Sequence, residues 1–197
     1  MNKYKDTIIE GSTFPDAPIR NDLKIRFTSE MLSDYLPTIE SMKLSRGLRL
    51  LCTVMAVKEG FYKGSRSYRT NNPGNIGNVD SGRNRQNTTL KDGILLQVKY
   101  INDIVTGKHS AYPMGKRKLI RPYYSKEIAR NPRNYGMSPY LPGYRFIFTG
   151  RLDQFVKIYS TGARAGNGYL NLILSYFKMN GILLDADSKI QDIIKLK

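Results

Sequence analysis

Apolar residues recur every three or four positions in several stretches of the chain. In the first stretch, which ends before Gly60, they are Leu44, Leu48, Leu51, Val54 and Met55. This spacing is typical of one face of an α-helix, and a glycine just after the last apolar position often ends a helix. The pattern therefore predicts a helix whose last turn contains Glu59.

A second helix is predicted to begin at Thr89. Asp92 stands three residues further on, which is typical of a capping box, where each side chain bonds the other residue's backbone N–H. Apolar residues then follow at helical spacing before Gly107, at Ile94, Val98, Ile101 and Val105. The pattern therefore predicts a helix from Thr89 to just before Gly107.

Two further helices are predicted near the end of the chain. The first starts near Thr149 and carries Leu152, Phe155, Val156 and Tyr159. The second starts near Asn167, ends at Asn180-Gly181 and carries Leu170, Ile173, Leu174 and Phe177. A short amphipathic helix within residues 185–197 completes the pattern.

The segments between these helices lack a helical period. Residues 1–40 combine short apolar groups with three prolines and predict an extended arm with one short helix. Residues 60–88, rich in Gly, Asn, Ser and Arg, predict an irregular lobe with room for a small hairpin. Residues 108–148 are basic and rich in tyrosine, and their prolines exclude long helices. We therefore predict an α+β, mainly α protein with an arm at 1–40, one domain at 41–184 and a tail at 185–197.

The composition narrows the chemistry open to this chain. Its 197 residues include one cysteine and one histidine, Cys52 and His109, so a Cys/His zinc site within one chain is excluded and no metal or cofactor is expected. Cys52 stands in an apolar run and is expected to be a small buried hydrophobe. No apolar run approaches the roughly 18 residues of a membrane span. The N-terminus lacks the apolar centre of a secretory signal, so ordinary export is not expected.

The net charge of the chain is +16 at pH 7. Such a field attracts polyanions, which include nucleic acid, anionic cell-wall polymers and acidic membrane surfaces. Within residues 108–148 basic side chains are interleaved with tyrosines, a composition that can grip a partner protein, a wall polymer or nucleic acid. We rank these three partners in that order.

Glu59 is the first candidate for a catalytic group. A carboxylate is disfavoured at the C-terminal end of a helix, and cover from Phe61 and Tyr62 would favour the protonated form that a general acid needs. In the loop that follows, SYRTNNPGNIG, Pro73-Gly74 predicts a turn, and the asparagines can bond both backbone and a polar ligand. The alternative is a solvated glutamate beside a structural turn.

Residues 55–78 resemble the core motif of the lysozyme-like peptidoglycan-cleaving enzymes. The resemblance is strongest to phage lysozyme or transglycosylase-like proteins, in which a glutamate, a short Ser/Arg-bearing loop and N-N-P-G-N-I follow one another. Bacterial glucosaminidases, with N-N-x-F-G-I, are more distantly similar. Weaker similarity extends over roughly residues 41–183 and leaves 108–148 as an insertion. The matching residues are Glu59-Gly60-Phe61, Ser65, Ser67, Tyr68, Arg69 and Asn71-Asn72-Pro73-Gly74-Asn75-Ile76.

This resemblance implies a lysozyme-like fold with a small irregular or β lobe. It implies that Glu59 is the catalytic acid, which protonates the glycosidic oxygen between the alternating aminosugars of peptidoglycan. Tyr159 and Tyr169 either position the substrate's N-acetyl group or are ordinary core aromatics. The residues expected to bind substrate are Ser67, Tyr68, Arg69, Asn71, Asn72, Asn75, Ile76, Tyr159 and Tyr169.

A second carboxylate is needed only if the protein itself supplies a nucleophile or activates a water. Asp92 is better explained as the capping partner of Thr89. Asp80 is either a turn residue or the second carboxylate. Because neither is an obvious partner for Glu59, the resemblance favours the lytic transglycosylase reaction, in which the substrate's N-acetyl group and 6-hydroxyl take the second role.

These expectations place the protein in a phage virion, or in the host cytoplasm before its release to the cell wall. The rival hypothesis is a virion structural or cargo protein that keeps the lysozyme-like fold with little or no activity and binds nucleic acid or other polyanions. The charge of +16 and the basic, tyrosine-rich insertion favour the rival. Glu59 and the intact asparagine loop favour the enzyme.

Overall fold

The structure, a computed structural model, describes residues 20–77, 85–106, 108, 117–120, 144–147, 149–159 and 163–197. Asp80 and His109 lie outside the described residues, as does most of the predicted insertion at 108–148. The elements, in chain order, are a π-helical segment Met31–Tyr35, α1 Leu36–Glu40, α2 Arg46–Lys58, α3 Arg66–Arg69, α4 Leu90–Val105, β1 Arg117–Ile120, β2 Tyr144–Ile147, α5 Leu152–Tyr159, α6 Ala163–Met179 and α7 Ile190–Ile193.

The described chain is mainly helical, as predicted. Its two strands, β1 and β2, pair antiparallel with Arg117 opposite Ile147 and Ile120 opposite Tyr144. Both strands fall within residues 108–148. The described part of residues 60–88 contains one helical turn, α3, and irregular turns.

Helix α2 ends where the apolar pattern predicts, and it begins at Arg46, two residues after the first apolar residue of the pattern. Ser45 caps its N-terminus by accepting a hydrogen bond from the backbone N–H of Leu48. At the other end Glu59 is the C-cap residue, and Gly60 follows with a φ of +71°. Glycine adopts this left-handed conformation without the steric strain of a Cβ atom. Glu59 is therefore held at the end of a helix whose central residues are buried.

Helix α4 starts with the capping box that the sequence predicts. Thr89 accepts a hydrogen bond from the backbone N–H of Asp92, and the Asp92 carboxylate accepts one from the N–H of Thr89. Helix α6 starts at Ala163, four positions before the predicted start near Asn167. Its first turn consists of small and polar residues, so the apolar period that signals a helix begins later. Asn180 and Gly181 follow its last residue, as predicted.

The core includes residues that precede and residues that follow the predicted 41–184 domain in the sequence. Helix α2 packs against α4 and α6, and α5 also packs against both. Met31, Tyr35 and Ile39, from the predicted arm, are buried in this core, as are Ile190 and Ile193 from the predicted tail. Burying an aliphatic or aromatic side chain stabilises a fold by about 1.5–3 kcal/mol. Residues 31–40 and 190–193 therefore belong to the folded unit.

The predicted arm is extended before it becomes helical. Leu23, Ile25 and Phe27 are half-buried, whereas Lys24 and Arg26 are exposed. Ile25 and Phe27 pack against the core. This segment lies along α6, where the backbone N–H of Leu23 donates to the hydroxyl of Ser175 at 2.9 Å. The rings of Phe27 and Tyr176 also form a T-shaped pair, with centroids 6.0 Å apart.

Cys52 is fully buried in α2, as expected of a small hydrophobe. Burial raises the pKa of its thiol well above the ordinary value of 9.0, since the thiolate would lose its hydration. Among the helices that the structure describes, none is long and apolar enough to cross a membrane.

Candidate functional site

Glu59 is half-buried and fixed by the backbone on both sides. Its own N–H donates to the carbonyl of Met55 at 2.9 Å, the last bond of α2. The N–H of Gly60 then bonds Val57, and the N–H of Phe61 bonds Ala56, the pair of bonds that defines a Schellman motif. The position of Glu59 is thus set by a rigid helix end.

The serines after Glu59 hold the chain rather than face solvent. Ser65 caps α3 by accepting a hydrogen bond from the N–H of Tyr68. Ser67 is 2 % exposed, and its hydroxyl donates to the carbonyl of Gly60 at 3.0 Å. The side chain of Ser67 therefore ties α3 to the end of α2.

Tyr68 and Arg69 lie on α3 with different surroundings. The Tyr68 hydroxyl donates to the carboxylate of Asp34 at 3.2 Å, and its ring packs edge-on against Phe61. This bond raises the pKa of the Tyr68 hydroxyl, because the nearby negative charge disfavours a second one. Arg69 is exposed and available to a ligand.

Residues 71–76, hereafter the NNPGNI loop, are shaped by their asparagines. Asn71 and Asn75 have φ angles of +49° and +53°, a left-handed conformation in which asparagine is enriched. Asn72 is fully buried, and its amide donates to the carbonyl of Ile76 and accepts from the N–H of Ile76, at 2.9 and 3.0 Å. Asn72 and the buried Ile76 therefore close the loop.

The NNPGNI loop is packed tightly against the start of α4. A Cβ atom at Gly93 would lie 1.7 Å from the carbonyl oxygen of Asn71, so only glycine permits this contact. The Asn71 amide lies 3.3 Å from the carbonyls of both Asn87 and Thr88, and Asn87 donates back to Asn71 at 3.0 Å. These bonds connect the loop to the segment that precedes α4.

Tyr159, at the end of α5, contacts the NNPGNI loop. Its hydroxyl donates to the carbonyl oxygen of Gly74 at 3.0 Å. Burial raises the pKa of this hydroxyl well above its ordinary value of 10.0, and the negative charge of Glu59 raises it further. Tyr159 therefore ties the end of α5 to the NNPGNI loop.

Tyr169 and Lys58 link Tyr159 to the end of α2, where Glu59 directly follows Lys58. The rings of Tyr159 and Tyr169 meet edge to face, with centroids 5.7 Å apart. The ammonium group of Lys58 lies 5.6 Å from the centroid of the Tyr169 ring, a cation–π contact. Gly168 leaves room for the Lys58 side chain, since a Cβ there would lie 3.1 Å from Lys58 Cε. We call Glu59, Gly74, Tyr159 and Tyr169 together the Glu59 site.

The two tyrosines are core aromatics with only a small exposed fraction, 8 % for Tyr159 and 3 % for Tyr169. Of the residues expected to bind substrate, the accessible ones are Arg69, which is exposed, and Tyr68, Asn71 and Asn75, which are half-buried. Asp80 lies outside the described residues. Asp92 is held in the capping box, as predicted.

Two contributors were missed in the sequence. Gln97 is fully buried and bonds the Tyr159 hydroxyl, and Lys58 lies over Tyr169. The sequence does contain a signal for Gln97. It stands three residues after Ile94 and four before Ile101, so helical spacing places this polar residue on the apolar face of α4. A polar residue at such a position must find a partner or destabilise the fold.

Within the described residues, no group of three or more His, Cys, Asp or Glu side chains could hold a metal ion. Comparison of the chain with protein-family models, curated proteins and solved structures found no match.

Proposed function

We propose that the protein cleaves the glycan strands of peptidoglycan as a lysozyme-like glycosidase, with Glu59 as the general acid. The observation that carries this proposal is a chain of contacts from the end of α2 to the NNPGNI loop. Lys58, next to Glu59, lies over the Tyr169 ring, and Tyr159 contacts both Tyr169 and the carbonyl of Gly74. A carboxyl group on a rigid helix end, beside a loop with accessible polar side chains, meets the positional requirement of general acid catalysis. The resemblance of residues 55–78 to the lysozyme-like motif supports the same function.

The reaction that we favour is the lytic transglycosylase reaction. Glu59 gives its proton to the glycosidic oxygen as the bond from that oxygen to the sugar C1 breaks. The resulting carboxylate then takes the proton of the substrate's 6-hydroxyl while the 6-oxygen bonds to C1. No water is consumed, and a 1,6-anhydro end forms. Asp92 does not compete for a role here, because its carboxylate bonds the N–H and hydroxyl of Thr89.

The replacement Glu59→Gln tests the assignment of the acid. The amide keeps the shape of the side chain but has no acidic proton to give, so release of soluble muropeptides from purified sacculi should fall by about 10²-fold or more. Glu40→Gln is a matched control. Glu40 is exposed at the end of α1, so this replacement removes the same charge from another helix terminus. Thermal unfolding should show both variants folded. Undiminished cleavage by Glu59→Gln would contradict the proposal.

The rival function, a structural or cargo protein of a virion, is favoured by one observation. Ser67, Asn72 and Ile76 are all buried, so part of the lysozyme-like motif stabilises the fold whether or not the protein is active. Wild-type protein that is folded but inactive on several types of cell wall would favour this rival. Binding to duplex DNA that weakens steeply with salt, without binding to sacculi, would assign it to nucleic acid.

A further inference from the structure

Gln97 occupies a position where a hydrophobic side chain is expected. It lies on the face of α4 that also carries Ile94, Ile101 and Ile104, and all four residues are 0 % exposed. In the part of the chain that the structure describes, the Oε1 atom of Gln97 has no hydrogen-bond partner. A buried carbonyl without a partner destabilises the fold. Packing alone therefore does not explain a glutamine here.

The hydrogen bonds of the Gln97 amide have a fixed direction. Its Nε2 lies 3.3 Å from the carbonyl oxygen of Cys52 and 3.4 Å from the hydroxyl oxygen of Tyr159. The Cys52 carbonyl only accepts, so the group facing it must be the NH₂. The single hydroxyl proton of Tyr159 goes to the carbonyl of Gly74, 3.0 Å away, so this hydroxyl must accept from Gln97.

The contact between Gln97, Tyr159 and Gly74 is also tight. A Cβ atom at Gly74 would lie 2.7 Å from the Tyr159 hydroxyl oxygen and 2.8 Å from Cγ of Gln97. Gly74 is buried within the NNPGNI loop, and Cys52 belongs to the helix that ends at Glu59. The Gln97 amide thus bridges the helix that carries Glu59 and the tyrosine that holds the loop.

We infer that Gln97 is a positioning residue of the Glu59 site, which orients the Tyr159 hydroxyl and through it holds the NNPGNI loop in register with the end of α2. This inference deepens the proposed function and rests on it for the catalytic part. Displacement of the loop by a fraction of an ångström would misplace a substrate held beside Glu59, and small displacements of this kind lower catalytic rates strongly.

The first test does not depend on activity. Gln97→Met keeps the length of the side chain but removes both N–H groups, and Tyr159→Phe removes the hydroxyl. Amide hydrogen exchange should become faster at Asn75 and Ile76 in each variant, and no faster in the double variant than in the more affected single one. Ile101→Val, a core truncation one turn along α4, should leave exchange in the loop at the wild-type rate. Unchanged loop exchange in Gln97→Met would overturn the inference.

The second test measures catalysis. We expect kcat on soluble glycan strands to fall about ten-fold in Gln97→Met, with a smaller change in KM, and no further fall when Tyr159→Phe is added. If the two losses multiply, Gln97 does not act through Tyr159 and the inference is wrong. If the wild type does not cleave glycan strands, the proposed function is wrong. The hydrogen-exchange rates of Asn75 and Ile76 would then decide on their own whether Gln97 positions the loop.

Discussion

The hydroxyl of Tyr159 donates a hydrogen bond to the carbonyl oxygen of Gly74, although the two residues lie 85 positions apart. This bond joins the end of α5 to the middle of the NNPGNI loop. Both groups are buried, so water does not replace the bond when it is lost. The loop is therefore held by a bond from Tyr159 on α5 and by the bonds between its own residues Asn72 and Ile76.

Replacing Asn72 should test the internal bonds of the loop. Asn72→Ala removes both bonds to Ile76 and leaves a buried N–H and a buried carbonyl without partners, which should lower the free energy of unfolding by about 2–4 kcal/mol. Urea denaturation measures this loss. Cleavage should also weaken, because the loop no longer has one fixed conformation. Gln86→Ala is the control, since Gln86 is exposed and its loss should change stability by no more than about 0.5 kcal/mol.

Gly93→Ala should destabilise the protein although alanine is the better helix former. Within a helix that replacement alone would stabilise by about 1 kcal/mol. The added Cβ would meet the Asn71 carbonyl oxygen at 1.7 Å, however, so α4 and the NNPGNI loop must separate. We expect a net loss of about 1–3 kcal/mol in denaturant unfolding. Lys91→Ala, on the exposed side of the same helix turn, should be nearly neutral, and a stabilised Gly93→Ala would contradict the contact.

The stability of the protein should fall at alkaline pH. Burial raises the pKa of Tyr35 and of Tyr159 well above the ordinary value of 10.0. As the pH rises through 10, the unfolded chain releases these protons and the folded chain keeps them, so the unfolded state binds fewer protons and is favoured. The stabilising contribution is complete below pH 10 and is lost above it, by about 1.4 kcal/mol per pH unit for each group.

Urea unfolding between pH 8 and pH 11.5 measures this slope. Tyr159→Phe removes one titrating group, so its stability should fall less steeply above pH 10 than that of the wild type, by about 1.4 kcal/mol per pH unit. Tyr35→Phe should behave in the same way. Identical slopes in all three proteins would show that neither hydroxyl is kept protonated by the fold.

The local features of this fold were predictable, because their cause lies within a few residues. The helix end at Gly60 and the capping box of Thr89 and Asp92 each follow from a short pattern, and both are confirmed. The burial of Tyr35 and Ile39 was not predicted, since Pro37 suggested an arm. Proline is tolerated in the first turn of a helix, which is where Pro37 stands in α1.

The site was predictable only in part. Glu59 and the turn at Pro73-Gly74 are marked in the sequence, but the partners of Ser67 and Asn72 show that both residues hold backbone. The bond between Gln97 and Tyr159 joins residues 62 positions apart, and no local pattern contains such information. Long-range packing therefore decides which side chains of the motif remain accessible.

The products of cleavage should carry 1,6-anhydro ends if the lytic transglycosylase reaction operates. Such ends are lighter by one water than the reducing ends that hydrolysis produces, so mass spectrometry of digested sacculi distinguishes the two outcomes. Asp92→Asn should give the same products as the wild type, because Asp92 serves the helix cap. Reducing ends would instead require a group that activates water, and Asp80→Asn would be the first variant to test.

The burial of the single thiol has a practical consequence for site-specific labelling. Cys52 is 0 % exposed and its pKa is raised, so maleimide reagents, which react with accessible thiolates, should leave the folded wild type unmodified. If the exposed Arg69 is replaced by cysteine, a maleimide fluorophore should react with that cysteine and not with Cys52. The label would then lie beside the NNPGNI loop. A change in its emission on addition of soluble glycan strands would test the proposed binding, without removal of the native cysteine.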